Sequence, residues 1–240
     1  AMTKAQSLPA DVIIFDLEDA VAPCDKGLAR QALCEQLADA NYGPRELVLR
    51  INAVDSAWYF DDINYLAELL ATLPPSLHLS AIAVPKVENA NDVLAVQHAL
   101  DSANLNHLSL WPMIETPAGV MNARAIVQAN ESINCLVMGT SDLAKELRLG
   151  VDDQRLGLLF SLSQCVLAAR ECSIDILDGV CLNLNDQALL AQQAEQGKSL
   201  GFTGKTVIHP NQLSITNSTF GVNPEALAEA KEILQAWRKA

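Results

Sequence analysis

Two carboxylates, Glu115 and Asp142, each stand where a short apolar run gives way to a helix start. Residues 107–113 (HLSLWPM) read as a buried strand running into Glu115. Thr116-Pro117-Ala118-Gly119 then stops that strand, and Pro117 suits the first turn of a helix. The pattern recurs 27 residues on, where Cys135-Leu136-Val137-Met138 leads through Gly139-Thr140-Ser141 to Asp142. Two hard oxygen donors at consecutive strand ends suit a divalent cation such as Mg2+, with the remaining coordination positions left to water and substrate. A cation so placed polarises a carbonyl and organises an oxyanion. The alternative is a pair of solvated loop acids, which their position behind buried runs argues against.

A second constellation lies upstream. Asp16, Glu18 and Asp19 form the acidic stretch DLED, and Arg50 sits inside the apolar run LVLRIN. A buried arginine needs a partner. Arg50 therefore pairs with Asp16 or Glu18, or holds an anionic substrate. One of Asp16, Glu18 and Asp19 can serve as a general base or orient a water; otherwise they are helix-start acids and partners of Arg50. Lys86 follows Pro85 at another strand end. Schiff-base chemistry is open to such a lysine, but pairing with a carboxylate or phosphate is its commoner use. His209, in HPNQ, reads as part of a turn, and Cys135 and Met138 as core.

Composition narrows the classes. The net charge of −13 leaves no basic footprint for nucleic acid or an anionic membrane. No apolar run reaches the roughly 18 residues of a membrane span, and no secretory leader pattern opens the chain. The six cysteines include no CxxC pair and are expected as reduced thiols of a cytoplasmic protein. The four histidines lack zinc-ligand spacing. No linker divides the chain, so a single domain over residues 1–240 is expected.

The elements that must position these residues alternate strictly. Strands are predicted at 11–17, 47–52, 79–84, 107–113, 133–138, 176–182 and 205–209. Helices are predicted at 26–40, 61–73, 90–103, 118–129, 141–147 (with Ser141 as N-cap), 154–172, 186–200 and 224–239, with a helix tail at 2–9 and a loop at 149–153. Continuously apolar strands alternating with helices specify a parallel α/β fold. Polar residues recur at the C-terminal end of nearly every strand: Asp16, Arg50, Asn52, Lys86, Glu115, Asp142, Asn183 and His209. That distribution favours a β/α barrel over an open sheet with one switch point. Seven strands are found where a full barrel has eight; the absent one would precede residues 2–9.

Several stretches together resemble the citrate lyase β-subunit-like branch of the HpcH/HpaI aldolase family: ADVIIFDLEDAVAP (10–23), LVLRINA (47–53), AVPKVE (83–88), PMIETPAG (112–119), LVMGTSDLAKELR (136–148), DGVCLNLND (178–186) and GFTGKTVIHPNQ (201–212). The resemblance implies a TIM (β/α)8-type barrel, here lacking its first strand, assembled as a trimer or hexamer. It also implies Mg2+-dependent cleavage of a 3-hydroxyacyl-CoA thioester to acetyl-CoA and a 2-oxo acid. By the same resemblance Glu115 and Asp142 match metal ligands, Arg50 matches a substrate-binding and catalytic arginine, and Asp16 and Glu18 lie beside it. The family opens on an RSxLFVPG strand and many members continue into a C-terminal lid. The present sequence starts within the helix after that strand and stops before any lid segment. The expected function is a C–C lyase acting on citramalyl-CoA or malyl-CoA. The alternatives are a citrate lyase β subunit served by an acyl carrier protein, or a non-catalytic CoA- or oxo-acid-binding homologue.

Overall fold

The computed structural model of the protein describes residues 2–74, 77–150 and 153–239. Its strands are β1 (Val12–Asp16), β2 (Glu46–Arg50), β3 (Leu79–Val84), β4 (Ser109–Ile114), β5 (Cys135–Met138), β6 (Asp175–Asp178) and β7 (Gly204–Lys205). They form one sheet in the order β1-β2-β3-β4-β5-β6-β7, and every pairing is parallel. The helices are α1 (Met2–Ala5), α2 (Lys26–Ala38), α3 (Tyr59–Thr72), α4 (Ala90–Ser102), α5 (Pro117–Met121), α6 (Ala123–Val127), α7 (Thr140–Glu146), α8 (Leu159–Glu171), α9 (Gln187–Leu200), α10 (Leu213–Phe220) and α11 (Pro224–Lys239).

The sheet is curled, and the side-chain alternation of its strands shows it. Val48, Ala81, Ala83, Trp111, Cys135 and Val137 form one buried cluster, with Val12, Ile14, Met113 and Leu177 packed against it. These residues come from one face of six consecutive strands. They can meet only if that face is concave. The other face contributes Phe15, Leu47, Leu49, Ile82, Leu110, Ile114, Leu136 and Ile176 to the larger core beneath the helices. The two-residue period continues to the strand ends. Asp16 follows Val12 and Ile14, Arg50 follows Val48, Glu115 follows Trp111 and Met113, and Gly139 follows Cys135 and Val137. The concave side thus ends in a polar layer on its C-terminal rim.

The alternation of elements is as expected, with local corrections. The predicted 118–129 helix is two helices that break at Asn122, whose side-chain amide donates to the Glu88 carbonyl (2.9 Å). Helix 154–172 begins only at Leu159, because Arg155 adopts a left-handed backbone (φ 55°) that no α-helix accommodates. Residues 151 and 152 of the expected 149–153 loop lie outside the described residues. The N-cap of α7 is Gly139, not Ser141. The last two strands are shorter than their apolar runs: β6 ends at Asp178 and β7 at Lys205, where the side chains turn to each other. Helix α10 was not anticipated. Its sequence, LSITNSTF, is rich in residues of poor helix propensity. Packing against α9 and a bond from the Asn217 amide to the Pro9 carbonyl (2.6 Å) hold it.

Candidate active site

The polar layer is an ion network anchored across β1 and β2, whose last residues, Asp16 and Arg50, are register partners. Arg50 Nε donates to Asp16 Oδ1 (2.7 Å), and its Nη2 pairs with Asp16 Oδ2. Arg50 Nη1 faces Glu18 Oε2 at 3.0 Å and Asp19 at 3.6 Å. Both readings of Arg50 as an acid partner therefore hold at once: it braces Asp16 and Glu18 together. Asp16 also accepts the backbone N–H groups of Glu18 (2.8 Å) and Ala20 (3.0 Å), which shape the DLED turn. Buried Lys26 donates to the Leu17 and Glu18 carbonyls (2.7 Å each) and sits over the Trp58 ring, fixing that turn from below.

Lys86 joins the network from β3. Its ammonium donates to Glu18 Oε1 (2.6 Å) and its backbone N–H to Glu115 Oε1 (2.7 Å). This pairing with a carboxylate is the expected use of a strand-end lysine. Glu115 is only 2% exposed, at the foot of a cavity of about 790 Å3 that Lys86, Asp142, Asp19 and Lys145 also line. The chain between β5 and α7 is pressed against it: a Cβ at Gly139 would collide with the Glu115 carboxylate. Asp142, in the first turn of α7, faces the same cavity, and no hydrogen bond to its carboxylate is found among the described residues. Asp16, Glu18 and Arg50 do not line the cavity; their carboxylates and guanidinium stand behind Asp19 and Lys86.

Burial and charge separate the acids. For Asp16, burial opposes ionisation, but the Arg50 bonds and charge and the two N–H donors outweigh it and hold the carboxyl below its usual range. Glu18 goes the other way, because burial and Asp19 outweigh Lys86 and Arg50. Glu115 is pushed up to about 7 by burial first, then by the charges of Glu18 and Asp142, which the Lys86 N–H and Arg50 only partly offset. Lys86 is raised: burial disfavours its charge, but Glu18 more than restores it. It is an ammonium, unsuited to carbinolamine formation.

The donor set fits a hard divalent cation. Glu115 and Asp142 line one cavity; burial does most to lift Glu115, Asp142 adds a smaller repulsion, and a cation between the two carboxylates would favour the ionised form of both. Among the described residues no group of three His, Cys, Asp or Glu side chains is disposed to hold a metal.

A second buried cluster went unread in the sequence. Asp178 accepts from Arg155 Nη1 (2.8 Å) and Lys205 Nζ (3.2 Å), all three being buried. Lys205 also donates to the Gly179 carbonyl. Gly179 lies against the Thr140 side chain, closer than any Cβ would allow, so this cluster ties β6 and β7 to the start of α7. The only signal was an acid and a lysine ending two apolar runs. His209 is the turn residue it was read as: its ring accepts the Asn211 N–H and caps a 3-10 turn at Pro210–Gln212. All six cysteines are free thiols. No helix among the described residues is long and apolar enough to cross a membrane.

Known proteins place this arrangement. A (3S)-malyl-CoA thioesterase of Cereibacter sphaeroides is 41% identical over 240 residues, covering 100% of this chain and 79% of its own. The human mitochondrial citramalyl-CoA lyase is 29% identical, covering 98% of this chain and 72% of its own. A solved citrate lyase β subunit of M. tuberculosis, complexed with oxaloacetate and magnesium, superposes with a TM-score of 0.71 at 28% identity, over 89% of this chain and 88% of that one. The family model of HpcH/HpaI aldolase/citrate lyase matches residues 1–210, which include every residue of the rim, and the chain belongs to that family.

Proposed function

We propose that the protein is a Mg2+-dependent C–C lyase acting on a short 3-hydroxyacyl-CoA thioester of the malyl-CoA or citramalyl-CoA type. The observation that carries the reading is the pair Glu115 and Asp142 at the foot of one cavity, backed by an arginine whose orientation is set by two acids. Glu115 and Asp142 would hold Mg2+, which when bound supplies Lewis-acid polarisation of the substrate's oxygens.

The chain's own residues then divide the work. An acid of the DLED stretch takes the proton of the substrate hydroxyl: Asp19 lines the cavity and Glu18 stands behind it, paired with Lys86 and Arg50. The bond between the hydroxyl-bearing carbon and the thioester α-carbon breaks. Its electron pair moves onto the thioester as an enolate, and the hydroxyl carbon becomes the carbonyl of a 2-oxo acid. Arg50, held by Asp16 and Glu18 behind the cavity wall, favours the developing negative charge through its own positive charge. The acid that took the hydroxyl proton returns it to the enolate carbon, which gives acetyl-CoA. Asp16, kept ionised by Arg50, acts as an orienting group and not as a base.

Thioester hydrolysis is the second reading, favoured by the 41% identity to proteins named malyl-CoA thioesterases. There water adds to the thioester carbonyl, the C–S bond breaks, and the thiol of CoA leaves with a proton. One assay separates the two. Malyl-CoA incubated with protein and Mg2+ gives acetyl-CoA and glyoxylate under the lyase reading, or malate and free thiol under the hydrolase reading. EDTA abolishes either. Retention of intact malyl-CoA and citramalyl-CoA, without and with an acyl carrier protein, would leave the binding-only reading.

The finer fold reading goes with this. The seven-stranded arc corresponds to a TIM (β/α)8-type barrel with one strand fewer, in one domain across residues 1–240, in a cytoplasmic homo-oligomer (a trimer or hexamer). Its support is the consecutive parallel strand order, the concave inner cluster and the broad exposed apolar residues described below.

A further inference from the structure

We propose that Lys86 is a positioning residue, an internal counter-cation that keeps Glu18 out of the metal site made by Glu115 and Asp142. The inference rests on the assignment of those two carboxylates as Mg2+ ligands. One residue touches two acids from different strands by two independent means: the Lys86 backbone N–H holds Glu115 Oε1 at 2.7 Å and the ammonium holds Glu18 Oε1 at 2.6 Å. To do both, Lys86 adopts a left-handed backbone (φ 53°). That conformation is costly for a residue with a Cβ and persists only where the surroundings impose it.

The charge around it gives the device a purpose. The cavity wall carries seven carboxylates (Asp19, Asp55, Glu88, Asp92, Glu115, Asp142 and Glu146) and two lysines, Lys86 and Lys145. Glu18 is 5% exposed and electrostatically coupled to Glu115. Its Oε2 already lacks a hydrogen bond, so without Lys86 both of its oxygens would be left to Arg50 Nη1 alone. A buried carboxylate in that position would turn to the nearest cation. A third carboxylate on Mg2+ strengthens binding but takes a position that substrate needs. Lys86 therefore holds the ligand count at two and keeps Glu18 as the brace of Arg50.

The test is calorimetric titration of Mg2+ into metal-free protein, with the fold of each variant checked by thermal melting. Lys86→Gly removes the ammonium while suiting the left-handed backbone, so the N–H to Glu115 is retained. Lys86→Asn, which also tolerates that backbone, is the second variant. Both are expected to bind Mg2+ about tenfold more tightly than wild type, as the ligand charge count rises. Lys86→Arg and Lys145→Met are expected to stay within about twofold, the latter because an exposed charge without a partner contributes little. Adding Glu18→Gln to Lys86→Gly is expected to return the affinity to the wild-type level or below. A purely structural lysine would give weaker or unchanged binding, and that result overturns the proposal. Equal tightening by Lys145→Met, or tightening that survives Glu18→Gln, overturns it as well. If wild type takes up no Mg2+, the ligand assignment fails and the inference with it. If wild type binds and only the Lys86 variants depart from expectation, the inference fails alone.

Discussion

In the proposed metal site Glu115 is the ligand whose charge is conditional, because it is buried. Its carboxyl titrates near 7 in the fold against an ordinary value of 4.5. A raised carboxyl stabilises the folded state when protonated, so its contribution in the metal-free protein is present below about pH 4.5 and is lost as pH rises towards 7. Mg2+ requires the ionised form. Added Mg2+ is therefore expected to raise the melting temperature little near pH 5.5 and clearly near pH 8. Glu115→Gln should remove that difference; a Mg2+-induced shift independent of pH would contradict the ligand assignment. Arg50 acts through its shape as well as its charge. Its three nitrogens serve Asp16 on two sides and Glu18 on the third. Lysine cannot reproduce the fork, so Arg50→Lys is expected to cost about 100-fold or more in kcat while the protein remains folded. Near wild-type turnover would end its role at the developing charge.

At the scale of elements, the site depends on how β4, β5 and α7 are fitted together. The period of two brings Glu115 and residue 139 to the same layer of the concave face, and the carboxylate fits because residue 139 has no side chain. Gly139→Ala would force the Glu115 carboxylate or the start of α7 to shift. It is expected to weaken Mg2+ binding by about tenfold and to cost about 1–3 kcal/mol of stability. Calorimetric titration beside a denaturant melt measures both, and unchanged affinity would show that the close approach does not position the carboxylate. On the far side of α7, Gly179 approaches Thr140 in the same manner, under the Arg155, Asp178 and Lys205 cluster. Helix α7 is thus held between two glycine contacts, and it carries Asp142 in its first turn.

Large apolar side chains stand exposed on several elements. Phe60, Met121, Phe160, Leu167 and Leu182 are exposed on the body, and every described side chain of α11 is exposed, including Leu227, Ile233, Leu234 and Trp237. The proposed homo-oligomer would cover some of these side chains. Light scattering is expected to give a mass that is a multiple of 25.8 kDa, and a single monomeric species across the micromolar range would refute the oligomer reading.

Much of this molecule is legible in one dimension because its parallel strands are buried on both faces. Burial writes each strand as an apolar run, and the acid, lysine or arginine that ends the run is conspicuous. Glu115, Asp142, Arg50 and Lys86 could be picked out in that way, and the motifs around them carried the family. Where local propensity and tertiary packing disagree, the sequence alone misleads: α10 forms from poor helix formers because α9 covers it, and the helix expected from residue 154 waits for Arg155 to leave its left-handed turn. Pairing is likewise a tertiary decision. Arg50 had two candidate acids and takes both, and Lys86 reaches Glu18 across 68 residues of chain. Asp178, Lys205 and Arg155 converge only once β6 and β7 lie side by side. The sequence by itself determined the strands, their order, most of the helices and the chemical character of the rim, since these follow from periodicity and residue type. Only the tertiary structure decided which charges neutralise each other, how far burial lifts Glu115, and which glycines make room for the site, because each of these depends on distances between residues far apart in the chain.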